Sequence, residues 1–136
     1  KPYRFKLWCV DCNSRKMVEK FQNILKRIKV DHSEICLFAV LKMDELTDKW
    51  TVILSAPWAE EGNADIFKYV LNILKEELSS TEVDAIARVG IISDKNHLVE
   101  SLMRYRTGTG ISSEKINGNE VHEGYIIESD SSRVAA

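Results

Sequence analysis

Cysteine is scarce and odd in number: Cys9, Cys12 and Cys36 are the only three. Three thiols at these spacings are not a disulfide framework, so a reducing, cytoplasmic setting is expected. No apolar run approaches the ~20 residues that span a bilayer, and no membrane segment is expected. The opening stretch KPYRFKLWCVDC lacks an apolar core followed by small residues, so it does not read as an intact signal peptide. It also lacks an initiator Met, as in a processed or trimmed chain. No internal repeat and no domain boundary is visible. Gly108-Thr-Gly110 lacks the lysine of a phosphate loop. It follows a helical pattern, where glycine serves as a C-cap. His32, His97 and His122 are scattered and converge on no Ser/His/Asp spacing.

What is present is ordinary for a globular domain. The chain has 136 residues, 44% hydrophobic and 29% charged, which suits one domain with a core of its own. Residues 1–128 are expected to form a single α+β domain, and residues 129–136, small and polar, a flexible tail. The net charge of −2 hides an asymmetry. Residues 1–30 carry nine Lys/Arg against two acids, and the remainder ten against nineteen. Such an imbalance marks a basic docking face, two halves that attract one another within one fold, or a solvated helix face.

The chain is organised around Glu34–Trp58. Two apolar, β-prone runs, Ile35–Leu41 and Trp50–Ala56, flank a charged connection and predict an antiparallel hairpin. Both strands are apolar on both faces, as in a sheet covered on two sides. Before the hairpin, Tyr3, Phe5 and Leu7 alternate with Arg4 and Lys6, a period of two that predicts a half-buried first strand. A helix should then start near Asn13 or Ser14, with Met17, Phe21, Ile24 and Ile28 as its apolar stripe. After the hairpin, Asn63 or Asp65 should cap a second helix with Ile66, Phe67, Val70, Leu71, Leu74 and Leu78 inward. Ser79 and Glu82 have capping-box spacing. Ala85–Ile92 reads as a strand, Asp94 as the cap of a third helix over residues 95–105, and Asn117-Gly118 as the tight turn of a terminal hairpin.

These elements predict an α+β fold: a mostly antiparallel sheet with helices packed on it. Its order is the ferredoxin-like βαββαβ, followed by a further helix and a hairpin.

The sharpest local feature is Cys9-Val-Asp-Cys12, expected where the first strand passes into the first helix. A helix N-terminus and the neighbouring Arg15 and Lys16 would lower thiol pKa there. Trp8-Cys9-x-x-Cys12 resembles the WCxxC of thioredoxin-like oxidoreductases, and its place after a first strand resembles heavy-metal-associated domains. Those resemblances imply a dithiol or a soft-metal site at Cys9 and Cys12. The chain departs from both patterns. Pro57 ends a strand rather than preceding one, and Leu7 stands where the metal-binding motif has Met. It is assigned to neither family. A structural reading, two semi-buried thiols at a corner, stands beside them and is favoured. A closed zinc site needs four ligands, and no second paired motif supplies them.

Arg15, Lys16, Lys20 and Arg27 form a candidate basic face for nucleic acid, with Tyr3, Phe5, Trp8 and Trp50 as aromatics for a sheet that stacks bases. No RNP-like motif accompanies them, and a solvated helix face is the simpler expectation. Trp58 follows Pro57 at a strand end. Trp58, Pro57 and Trp8 are candidates for a pocket or partner surface, while closure of the core end is the favoured role for Trp58. The functional expectation is a small non-enzymatic domain that acts by protein association, with itself or a partner, through sheet edges and the terminal hairpin. The expected cofactor set is empty, with a soft metal ion at Cys9/Cys12 as the alternative. Nucleic-acid contact through the basic helix is the second alternative.

Overall fold

The computed structural model describes residues 2–32, 34–43, 49–60 and 62–130, with side chains from residue 16 onward. Among these residues, four helices and a five-stranded mixed sheet make up an α+β fold. In chain order they are α1 (Pro2–Asp31), β1 (Leu37–Met43), β2 (Trp50–Ser55), α2 (Ala64–Glu77), α3 (Ser80–Asp84), β3 (Ile86–Ile91), α4 (His97–Leu102), β4 (Gly110–Ile116) and β5 (Asn119–Ser129). The sheet order is β3-β2-β1-β5-β4. The β2/β3 pair is parallel, and the other three pairs are antiparallel.

The central hairpin forms as its pattern dictates, with Ala39 opposite Ile53 and Val40 opposite Val52. Alternate residues feed two cores. Phe38, Val40, Trp50, Val52, Leu54 and Ile127 face α1 and α2, where Phe21, Ile24, Ile28, Val70, Ile73 and Leu74 meet them. Leu37, Ala39, Leu41, Met43, Ile53 and Ile126 face the other way, onto Val99, Leu102 and Met103 and onto Ile111, Ile116 and Val121 of the terminal hairpin. Each fully buried Leu, Ile or Phe contributes about 1.5–3 kcal/mol relative to exposure.

Local chemistry sets the element ends. Asn63 caps α2, its side chain accepting from the N–H groups of Asp65 and Ile66. Ser79 and Glu82 close a reciprocal capping box on α3. Asn117 (φ 50°) and Gly118 (φ 82°) make the turn between β4 and β5, as the Asn-Gly pair predicts.

Two expectations need correction. Residues 3–8 are not a strand: α1 begins at Pro2 and runs unbroken to Asp31. Proline is well tolerated at a first helical position, and nothing between Tyr3 and Asp31 is Gly or Pro. The six-residue alternation was too short a window to separate the two periods. The strand needed to open a ferredoxin-like βαββαβ order is therefore a helix, and the order seen is α-β-β-α-α-β-α-β-β. Second, α4 starts at His97 with Asn96 as cap, not at Asp94. The carboxamide of Asn96 accepts from Leu98 and Val99, while Ser93 Oγ accepts from Lys95 N–H in the preceding turn. Two residues beyond 128 make hydrogen bonds to the fold. Ser129 donates through Oγ to Met103 O, and Asp130 N–H donates to Cys36 O. The rest of the expected tail, 131–136, lies outside the described residues.

Candidate interaction surfaces

The C-terminal end of α1, the end of β2 and the start of α2 meet in one aromatic cluster. His32 stacks on Trp58 with ring centroids 4.0 Å apart and planes 13° from parallel. Tyr69 meets His32 edge-on at 5.2 Å. Trp58 Nε1–H donates to Glu34 O at 2.5 Å, and Tyr69 O–H donates to Asp31 Oδ2 at 2.6 Å. Burial raises the Tyr69 phenol above its ordinary pKa, and the Asp31 carboxylate adds to this. Trp58 is half-buried and packs on the α1/α2 core, whereas Pro57 beside it is exposed. One face of the indole and its N–H are thus engaged within the fold. Sequence reasoning singled out Trp58 but not His32, Tyr69 or Asp31. These lie on separate segments, and no local spacing joins them.

The basic side of α1 is met by acids from the following helices and the last strand. Lys20 donates to Glu82 at 2.6 Å, Arg27 to Glu76 and Glu77 at 2.7 and 3.0 Å, and Lys29 to Glu128 at 2.5 Å. Burial alone would raise the Glu82 carboxyl. The Lys20 ammonium and the Ser79 hydrogen bonds outweigh it and hold the carboxyl below its ordinary value. The hydrogen bonds that Arg27 donates to Glu76 and Glu77 raise its guanidinium above the ordinary value. The charge asymmetry of the sequence is therefore used, at least here, for attraction between halves of one fold. Of the four candidate basic residues, Lys20 and Arg27 are paired in this way. Lys16 is exposed, and the Arg15 side chain lies outside the described residues.

Cys9 and Cys12 sit within α1 rather than at a strand–helix corner. The placement that motivated a lowered thiol pKa is absent, since six or more helical residues precede each. Three apart on a helix, they share one side of it. Their side chains and that of Trp8 lie outside the described residues. Among the described residues no group of three or more His, Cys, Asp or Glu is placed to hold a metal ion. No helix among them is long and apolar enough to cross a membrane. Shallow depressions mark the surface of the described residues. One, of 370 Å³, lies among Lys29, Glu34, Thr107, Glu128 and Asp130, and one, of 260 Å³, among Ser113, Glu114, Lys115 and His122. Trp58 lines neither.

The two sheet edges differ. β4 is guarded: residues 112–115 are exposed and polar, Ser113 has φ 50°, and Glu114 accepts from Tyr105 O–H. Irregularity and charge of this kind discourage further strand pairing. β3 (IARVGI) has one charge, Arg88, while Ile86, Val89 and Ile91 are half-buried. Among the described residues, its strand neighbour is β2 alone. Ile92 N–H donates inward to Leu54 O, so Val89 and Ile91, alternating with it, turn their N–H groups to the outer edge.

Comparison of the chain with protein-family models, with curated proteins and with solved structures finds no match.

Proposed function

We propose that this chain is a non-enzymatic domain that acts by protein association, accepting an extended segment of a partner as a further strand beside β3. The observation that carries the reading is the contrast between the edges: β4 is charged and kinked, while β3 presents outward amides between half-buried apolar residues. Strand addition uses such an edge, with main-chain hydrogen bonds for affinity and alternate side chains for selectivity.

The test is a selection of extended peptides against the folded domain, followed by amide exchange of the complex. Bound peptide is expected to slow exchange at Val89 and Ile91. Val89→Pro removes one outward donor while sparing the ladder to β2, and is expected to weaken binding roughly tenfold. Ligands that bind equally well to Val89→Pro and leave the β3 amides unprotected would overturn the reading.

The soft-metal or dithiol reading of Cys9 and Cys12 is supported by their shared side of α1. Copper(I) titration of the reduced chain tests it, and binding that survives Cys9→Ser/Cys12→Ser ends it.

A further inference from the structure

We infer that the segment accepted beside β3 is an acidic one: an extended stretch of a partner protein in which apolar residues alternate with carboxylates. The inference rests on the strand-addition reading above and names the chemistry of the segment that edge would take.

The sheet supplies the floor of the site. Val89 pairs with Val52, and Ile91 with Leu54. Val52 and Leu54 point into the core under α1 and α2, and Val89 and Ile91 pack against that same core. Both are half-buried. Arg88 and Gly90 alternate with them and so belong to the opposite face of the sheet.

The roof is α2. Its Tyr69 meets Asp31 and its Glu76 meets Arg27, which turns that flank of the helix to α1. Phe67 and Leu71 lie roughly half a turn of helix away from that flank. In the sheet order β3-β2-β1-β5-β4, α1 packs against β5 and α2 against β3. The flank turned away from α1 is therefore the one above the β3 edge. There Leu71 is half-buried, and Phe67 is a large apolar side chain left 38% exposed. A strand laid beside β3 would place every second side chain on this apolar shelf, between the strand edge and Phe67 and Leu71.

The charge around the shelf has one sign. Arg88 is exposed on the far face of β3. Lys68 and Lys75, seven residues apart and so on one side of α2, are exposed beside Phe67 and Leu71. None of these three cations takes part in the ion pairs that tie α1 to α2, α3 and β5. Within α2, Glu76 and Glu77 are engaged by Arg27, and Asp65 stands back in the first turn. Asp84 and Asp94 lie beyond the two ends of β3.

The alternation of the partner follows. In antiparallel pairing, residues opposite Val89 and Ile91 enter the shelf, and those alternating with them face Arg88. Apolar side chains suit the first set and carboxylates the second. A second copy of this chain would bring its own Arg88, Lys68 and Lys75 to the rim, like charge against like. The occupant is accordingly a different, acidic segment.

Short synthetic peptides that alternate valine with glutamate, with serine or with lysine, titrated into the full chain at low ionic strength, test the proposal. The glutamate peptide is expected to bind roughly tenfold or more tightly than the lysine peptide, with the serine peptide between them, and to slow amide exchange at Val89 and Ile91. Added salt should shrink the margin. Arg88→Gln should narrow it and Arg88→Glu narrow it further, both with the urea midpoint nearly unchanged because the side chain is exposed. Equal binding of the glutamate and lysine peptides, with the β3 amides protected, would overturn the acidic segment and leave strand addition standing. A glutamate preference untouched by Arg88→Glu would overturn the placement of the acids. A glutamate peptide that binds without protecting the β3 amides would overturn both readings. One that does not bind at all would overturn the acidic segment, and the peptide selection then decides strand addition by itself.

Discussion

A Cβ built on Gly124 would stand 2.7 Å from Leu41 Cδ2, with Val121 Cγ1 at 3.4 Å and Val40 O at 3.5 Å. Gly124 and Leu41 are paired across β5 and β1, and Leu41 is completely buried, so its terminal methyl would have to shift within the core. Gly124→Ala is expected to cost about 1–3 kcal/mol through overpacking, read as a lower urea midpoint. Leu41→Ala alone should cost about 2–5 kcal/mol. The double variant should cost clearly less than the sum, because the smaller residue 41 relieves the clash. Strict additivity would show that the two side chains do not compete for one space.

Trp58 joins three segments through one ring: His32 on its face, Glu34 O on its N–H, and the α1/α2 core beneath. Trp58→Ala should destabilise by about 2–4 kcal/mol, below a fully buried tryptophan because the ring is half-exposed. Trp58→Phe keeps an aromatic face for His32 and loses the indole donor, at a cost of about 1 kcal/mol. Denaturant unfolding of both variants measures the difference. Equal losses would mean that the stack contributes nothing beyond the hydrogen bond.

Where one segment carried its own instructions, its structure was legible in the sequence. The Asn63 cap, the Ser79/Glu82 box, the Asn117-Gly118 turn and the apolar central hairpin are all settled by residues within a few positions of each other. The opening segment was misread because Tyr3, Phe5 and Leu7 satisfy a period of two over six residues. The alternation of four and three that runs on to Ile28 emerges only over several turns. Asn96 displaced Asp94 as a cap because Ser93 had already formed the turn before it. The α1 ion pairs link residues 49 to 99 positions apart. Composition showed the imbalance of charge but could not say which acid each cation would meet. The stack of His32 on Trp58 is likewise a product of tertiary packing, and so is the difference between the two sheet edges.

Thr51 sits in the central hairpin at 5% exposure, and its Oγ1 finds no hydrogen-bond partner among the described residues. A buried hydroxyl without a partner forgoes its hydration and gains nothing in return. Thr51→Val keeps the branched shape and removes the hydroxyl, so it should stabilise the fold by about 1 kcal/mol. Thr51→Ser keeps the hydroxyl and loses a methyl, and should be destabilising. Thermal unfolding distinguishes these signs. A valine variant less stable than the parent would mean that the hydroxyl is satisfied by water in solution.

Cys36 lies just before β1, bonded through its backbone to Ser55 and Asp130, at 1% exposure, and burial, reinforced by the negative charges of Asp94 and Asp130, pushes its thiol up to about 11. At pH 8 the thiolate fraction should be roughly a hundredfold below that of an ordinary cysteine. In Cys9→Ser/Cys12→Ser, which leaves Cys36 as the sole thiol, the folded protein should react with a disulfide reagent only as fast as it opens, and in urea at once. The same shift bears on stability. The unfolded chain loses this proton at lower pH than the folded one, so the contribution is complete below the unfolded value near 8.5 and declines as pH rises toward 11. Cys36→Ala should abolish that part of the alkaline decline in urea midpoint. Rapid labelling of the folded double-serine variant at pH 8 would show that the thiol is open to solvent and the shift absent.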